Sequence, residues 1–148
     1  MNLLFDTSIW VDHFRRGVLE DVIPRLRGKF VLWFDAITGA ELLAGCRSKE
    51  ERRVVAEVLR PFEKAERLAV PIAADFRRAA TALSKLRERG HTLKKPGSAL
   101  LDALIASVAH RKGALLVTSN ETDFEMLRSQ LPFAQHDLPA LLKLLHDA

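Results

Sequence analysis

A three-layer α/β fold with a central parallel sheet is what this sequence predicts, on three observations. Short apolar runs of strand length alternate with longer segments of helical period. Two of these runs, Phe30-Val31-Leu32-Trp33-Phe34 and Ala114-Leu115-Leu116-Val117, are apolar throughout, as strands covered on both faces are. And each main run gives way within a few residues to an acid or a hydroxyl, at the carboxyl edge where open α/β sheets keep their ligand crevice. The strand order is not readable at this level.

Taken in order, the chain opens with Leu3-Leu4-Phe5, a short strand ended by Asp6. Thr7 to Phe14 reads as a helix that Arg15-Arg16-Gly17 stops, and Val18 to Arg27 as another, interrupted or started near Pro24. The strand at Phe30 to Phe34 leads through Asp35 into a helix starting at Thr38. Residues 48 to 66 carry Val54, Val55, Val58, Leu59 and Phe62 at helical spacing, and Arg67 to Val70 is a strand closed by Pro71. Phe76, Ala79, Ala80, Leu83 and Leu86 mark a long helix ending near Gly90. After a basic loop, His91 to Gly97, Ser98 caps a helix that reaches Lys112 and stops at Gly113. Ala114 to Thr118 is the next strand and Asn120 to Ser129 the next helix. An amphipathic helix through Leu138, Leu141, Leu142 and Leu145 follows Pro132-Phe133.

The 148 residues fit a single domain, 1–148, large enough to bury roughly 70% of its unfolded surface. Cys46 is the sole cysteine, which excludes an intrachain disulfide and a cysteine-based metal site and makes a reducing, cytoplasmic setting the expectation. Asp6 interrupts the first apolar run too early for a signal peptide, and no run approaches the roughly 18 residues of a membrane span. The net charge of +4 comes from 23 Lys and Arg against 19 Asp and Glu. An acidic pocket on an otherwise basic body suits a polyanion held by its phosphates.

Four acids stand out, and each has an ordinary explanation. Asp6 can cap the first helix. Glu41 closes a capping box with Thr38, and Asp123 follows Asn120, itself a competent cap. Asp102 lies near a helix start, where the macrodipole favours an acid. What speaks against four separate explanations is place. Asp6, Glu41 and Asp123 each follow a strand closely, so a parallel sheet brings them to one edge. Asp102 falls on the side of its helix with Ala99, Ala106 and Ala109, away from Leu101, Leu104, Ile105 and Val108, and no Lys or Arg precedes it by three or four residues.

Two carboxylates ~4 Å apart repel by ~4 kcal/mol at an effective dielectric near 20. A cluster must hold protons or collect a cation, and a hard divalent ion with oxygen ligands answers that need. Such an ion turns water into a nucleophile and stabilises charge on a phosphoryl group. The reaction class is then metal-assisted phosphodiester hydrolysis. Trp10 and Trp33 sit within apolar segments and read as core, and the five histidines show no ligand spacing. Lys94 and Lys95, in the basic loop, are candidates for phosphate contact.

Asp6-Thr7-Ser8-Ile9-Trp10-Val11-Asp12, Thr38-Gly39-Ala40-Glu41-Leu42-Leu43-Ala44-Gly45, Leu101-Asp102-Ala103-Leu104-Ile105-Ala106 and Val117-Thr118-Ser119-Asn120-Glu121-Thr122-Asp123-Phe124 together resemble the ordered motifs of PIN-domain ribonucleases, and more narrowly the VapC-type toxins of toxin–antitoxin pairs. The resemblance runs from about Leu3 to Phe124. It implies a PIN-like α/β/α domain and a Mg²⁺- or Mn²⁺-dependent endoribonuclease that cleaves structured RNA such as tRNA or rRNA. Asp6, Glu41, Asp102 and Asp123 match its acidic constellation, with Asp6 and Asp102 expected to hold the ion, Asp123 to complete its shell and Glu41 to ligate through water or orient the attacking water, and Thr7 or Ser8 matches its hydroxyl beside the first acid. It also implies a homodimer and a cognate antitoxin whose tail covers the cleft, with promoter DNA bound only through that antitoxin. Asn120 stands where a number of relatives carry an acid, so one ion rather than two is expected.

Two rival readings stand on the same fold. One is a non-catalytic binding or regulatory module. The other is a phosphoryl-aspartate protein, against which Ser8 occupies the place of a dehalogenase-like second Asp, and Thr7 that of the adjacent acid of a receiver domain.

Overall fold

The computed structural model describes residues 1–147. Its strands are β1 (Asn2–Phe5), β2 (Val31–Asp35), β3 (Leu68–Ala69), β4 (Leu115–Val117) and β5 (Ala134–His136). The helices are α1 (Thr7–Arg16), α2 (Val22–Leu26), α3 (Ala36–Gly45), α4 (Lys49–Lys64), α5 (Ala73–Glu88), α6 (Ala99–Lys112), α7 (Glu121–Arg128) and α8 (Leu138–Asp147). All strand pairs are parallel, in the order β3-β2-β1-β4-β5. β1 is central, so its carboxyl end falls between those of β2 and β4.

The pleat of β1 divides the core. Leu4 points with Leu116 into a cluster with Leu104, Ile105 and Val108 of α6, Leu86 of α5 and Phe124 of α7. Leu3 and Phe5 point the other way, with Leu115 and Val117, onto Trp10 of α1, Val22 of α2, Leu59 of α4 and Leu141 of α8. The three expected layers are therefore present. Trp10 is fully buried in an aromatic stack with Phe34 at 4.7 Å between ring centroids. Trp33 is half-buried; its indole N–H donates to Asn2 Oδ1 at 3.1 Å and the Lys112 ammonium lies 3.6 Å from its ring centroid.

Three expectations change. β5 was not anticipated, because Ala134-Gln135-His136 has neither the length nor the apolar pattern of a strand; pairing with β4 makes it one. On α5 the inward positions are Asp75, Ala79, Ala82 and Leu86, and Phe76 is half-exposed. Asp75 is drawn inward by Arg78 Nη1 at 3.1 Å, Arg111 Nε at 2.9 Å and the Ser107 hydroxyl at 3.2 Å, which turns the apolar stripe by about one residue. And α6 is buried all round from Asp102 to Ala109, with Leu101 only half-buried, so no single apolar stripe describes it. The helix stops are as expected: Gly17 and Gly113 adopt left-handed φ of 66° and 57°.

Candidate active site

β1 ends at Phe5, and the next backbone N–H, of Asp6, donates to Val117 O of β4 at 3.0 Å. Asp6 is thus fixed where three parallel strands end. Its side chain does cap α1, through Ile9 N at 3.3 Å, as the ordinary explanation required. It does more. The Ser8 hydroxyl donates to Oδ1 at 2.5 Å and the Thr118 hydroxyl to Oδ2 at 2.6 Å. Each hydroxyl in turn accepts a backbone N–H, that of Ser119 on Ser8 at 3.1 Å and that of Asn120 on Thr118 at 2.9 Å. Asp6 is almost fully buried, and burial raises its pKa against the lowering by those hydrogen bonds.

The capping box at Thr38 and Glu41 does not form. α3 starts two residues earlier than expected, at Ala36, because Asp35 caps it by accepting from Ile37 N at 2.7 Å. Thr38 and Glu41 therefore lie inside the helix, one turn apart and on one side. Both face Thr7: its hydroxyl donates to Glu41 Oε1 at 2.7 Å and lies 3.2 Å from Thr38 Oγ1. Glu41 is half-exposed and faces Thr7, the residue next to Asp6.

Asp102 stands one turn into α6, buried to 9% exposure. Ser98, expected to cap this helix, makes no cap bond to the backbone; its hydroxyl lies 3.3 Å from Asp102 Oδ2 and from Lys95 O. Burial, then the negative charge of Asp6, of Glu41 and, less, of Asp123, pushes the Asp102 carboxyl up to about 7. The charges of acids from three other segments thus act on Asp102 across the sheet edge, and among the described residues no cation pairs with it.

Asp123 is brought to the same neighbourhood but is engaged elsewhere. It is fully buried, and its oxygens accept the backbone N–H groups of Lys94 at 2.6 Å and Lys95 at 3.1 Å, with the Asn120 side-chain amide at 3.3 Å. Asn120 makes no side-chain cap for α7. The Lys94 and Lys95 side chains are exposed beside this contact.

Thr118 and Asp35 were not singled out from the sequence, and Ser98 was read there only as a helix cap. Thr118 was detectable in principle, as the first polar residue after a strand adjacent to β1. Asp35 is fully buried at the end of β2, and burial pushes it up to about 7 despite the hydrogen bonds from the Ile37 and Thr38 backbone.

The donors gathered here are anionic oxygens, the type that suits Mg²⁺ or Mn²⁺. The raised Asp102 carboxyl marks a place short of positive charge. Among the described residues, no three Asp, Glu, His or Cys side chains already form a ligand set. The convergence is that of a charged neighbourhood, not of a finished coordination sphere.

A parallel α/β sheet with acids from successive βα junctions and from a buried helix at its carboxyl edge defines the class. The chain belongs to the PIN domain family, whose model matches residues 3–128. No curated protein matches it. Among solved structures it is similar to VapBC-1 from nontypeable Haemophilus influenzae, at 20% identity and a TM-score of 0.69 over 93% of this chain and 98% of that one. It is similar to DNA-bound VapBC from Salmonella typhimurium at 16% identity and a TM-score of 0.68, over 93% and 98%. FitAcB from Neisseria gonorrhoeae gives 21% and 0.65, over 91% and 96%. These likenesses are to the fold.

Proposed function

We propose that the chain is a metal-dependent endoribonuclease, the toxin of a toxin–antitoxin pair, acting on structured RNA such as tRNA or rRNA. The observation that carries this reading is the Asp102 carboxyl, raised to about 7 by burial and by the charges of Asp6, Glu41 and Asp123. A fold alone does not call for such crowding; a bound cation would relieve it. PIN-family membership supports nuclease chemistry.

In this reading Asp6 and Asp102 hold one Mg²⁺ or Mn²⁺, which when bound supplies a nucleophilic water and neutralises charge on the scissile phosphate. Glu41, held by Thr7, orients or deprotonates the attacking water. Ser8 and Thr118 fix the rotamer of Asp6, so that its carboxylate is already in place when the ion arrives. Asp123 adds negative charge from behind the loop that it engages.

The similar solved structures are VapBC and FitAB-type complexes, one described as a member of a family of toxin–antitoxin systems and three bound to DNA, of which one is described as a promoter fragment. By that likeness we assign this chain an antitoxin partner that also mediates any contact with promoter DNA, a homodimeric state and a cytoplasmic setting. Among the described residues no helix is long and apolar enough to cross a membrane. A groove of about 600 Å³ beside Thr7 and Glu41, lined in part by Val11, Phe14, Leu42 and Val54, offers the antitoxin tail an apolar seat next to the acids.

The test is cleavage of purified tRNA and rRNA with Mn²⁺ or Mg²⁺. The wild-type protein is expected to cut at discrete sites, and Asp6→Asn and Asp102→Asn to lose at least about a hundredfold in rate while remaining folded. Undiminished cleavage by either variant would overturn the assignment. Ion binding without cleavage of any RNA would favour the binding-module reading.

A further inference from the structure

We infer that Asp123 is a positioning residue: it pins the loop between α5 and α6, so that Lys94 and Lys95 stand ready for the phosphate backbone of an RNA. This rests on the nuclease reading for its substrate, but not for its geometry.

Asp123 is at the third position of α7, where an acid commonly serves its own helix. Here its partners come from elsewhere. The N–H groups that it accepts belong to residues 28 and 29 positions earlier in the chain. Asn120, the residue before α7, turns its amide onto the same carboxylate. Three donors therefore meet one buried anion, and both of its oxygens are used. Hydrogen bonds to a charged acceptor are the strong ones, and an unpaired carboxylate at this depth is costly.

The loop gains a fixed course from this contact. Leu93 is buried in the core at one end, and Ser98 lies between Lys95 O and Asp102 Oδ2 at the other. Between these anchors the Lys94 and Lys95 backbone is spent on Asp123, and their side chains are left exposed. Two cations are thereby presented on the loop that leads into the helix of Asp102, seven and eight residues before it. Without the latch, an RNA would have to order the loop as it bound.

The kinds of donor separate Asp123 from Asp6. Two of the three donors on Asp6 are hydroxyls, the third being the Ile9 N–H, whereas all three on Asp123 are amide N–H groups and two of these belong to the loop backbone. Asp123 thus acts on the strand through the loop, and the ion is left to Asp6 and Asp102.

The test uses the full chain with Asp123→Ala, and Asp123→Asn as a milder variant that keeps one acceptor oxygen. Trypsin should cut the Lys94–Lys95 bond at least about tenfold faster in Asp123→Ala than in the wild type. Mn²⁺ affinity, read from free Mn²⁺ by electron paramagnetic resonance, should stay within about threefold, whereas Asp102→Asn should lose it. Affinity for a structured RNA in EDTA should fall roughly tenfold, and by the same factor in a Lys94→Ala/Lys95→Ala variant, with no further loss when the changes are combined. Under Mn²⁺ the loss should fall on KM more than on kcat. Loss of Mn²⁺ affinity in Asp123→Ala to the level of Asp102→Asn, an unchanged trypsin rate, or additive losses of RNA affinity would each overturn the proposal. If Asp123→Ala is unfolded, Asp123→Asn is judged by the same three measurements. Failure of the wild type to cleave any RNA would sink the nuclease reading and leave the trypsin result standing.

Discussion

Thr7 Oγ1 donates a hydrogen bond to Glu41 Oε1 at 2.7 Å across 34 residues of chain, joining the start of α1 to the middle of α3. This bond turns Glu41 toward the residue beside Asp6 instead of toward a helix cap. Thr7→Val should free the Glu41 side chain, lower RNA cleavage about tenfold, and cost only about 1 kcal/mol of stability. Thr7→Ser should retain both. Cleavage rates and urea midpoints for the two variants decide this; equal activity of Thr7→Val and wild type would detach Thr7 from the chemistry.

Two buried aspartates should respond to mutation with opposite sign. Asp75 sits between Arg78 and Arg111 and accepts the Ile72 N–H at 2.9 Å. Burial alone would raise its pKa, but the hydrogen bonds from Ile72, Arg111 and Ser107 and the charge of Arg111 hold it below the ordinary value. Asp75→Ala leaves two guanidinium groups unmatched and should cost about 3 kcal/mol. Asp102→Asn removes a charge that its surroundings oppose and should stabilise the metal-free protein at pH 8 by on the order of 1–3 kcal/mol. Denaturant unfolding in EDTA measures both.

The same groups set the pH dependence. Asp35 and Asp102 move from 3.8 to about 7 on folding. Between these values the folded state holds more protons than the unfolded one, so the stability of the metal-free protein should fall as pH rises from about 4 to about 7. Asp75 works the other way. Its lowered pKa adds stability above 3.8 that is lost as pH drops through the folded value. A thermal series from pH 3 to pH 8 should therefore pass through a maximum on the acid side of neutrality, and Asp102→Asn should flatten the fall above it. A Tm that climbs steadily to pH 8 would contradict the burial of these carboxylates in their charged neighbourhood.

Much of this was legible in the sequence because strand and helix periods are local. The layers, the helix stops at Gly17 and Gly113, the strand end that carries Asp6 and the helix after β2 that carries Glu41 follow from patterns within a dozen residues. Asp102 was legible by default: a helical acid with no basic residue a turn earlier needs another reason to exist. What escaped depends on contacts between distant segments. Thr38-x-x-Glu41 fits a capping box, and only Asp35, one turn earlier, shows that the helix has already begun. β5 exists because β4 offers it an edge. Asp123 lies in the segment that the sequence pointed to, but its grip on the Lys94 and Lys95 backbone joins segments whose meeting no local pattern encodes.

The central claim is that the acids at the carboxyl edge of the sheet collect a divalent cation, and calorimetric titration of the metal-free protein with Mn²⁺ at pH 7.5 tests it most directly. The account predicts saturable binding of one ion per chain with release of protons, since Asp102 is part-protonated near neutrality, and loss of that binding in Asp102→Asn. Absence of binding, or equal binding by wild type and Asp102→Asn, would contradict it.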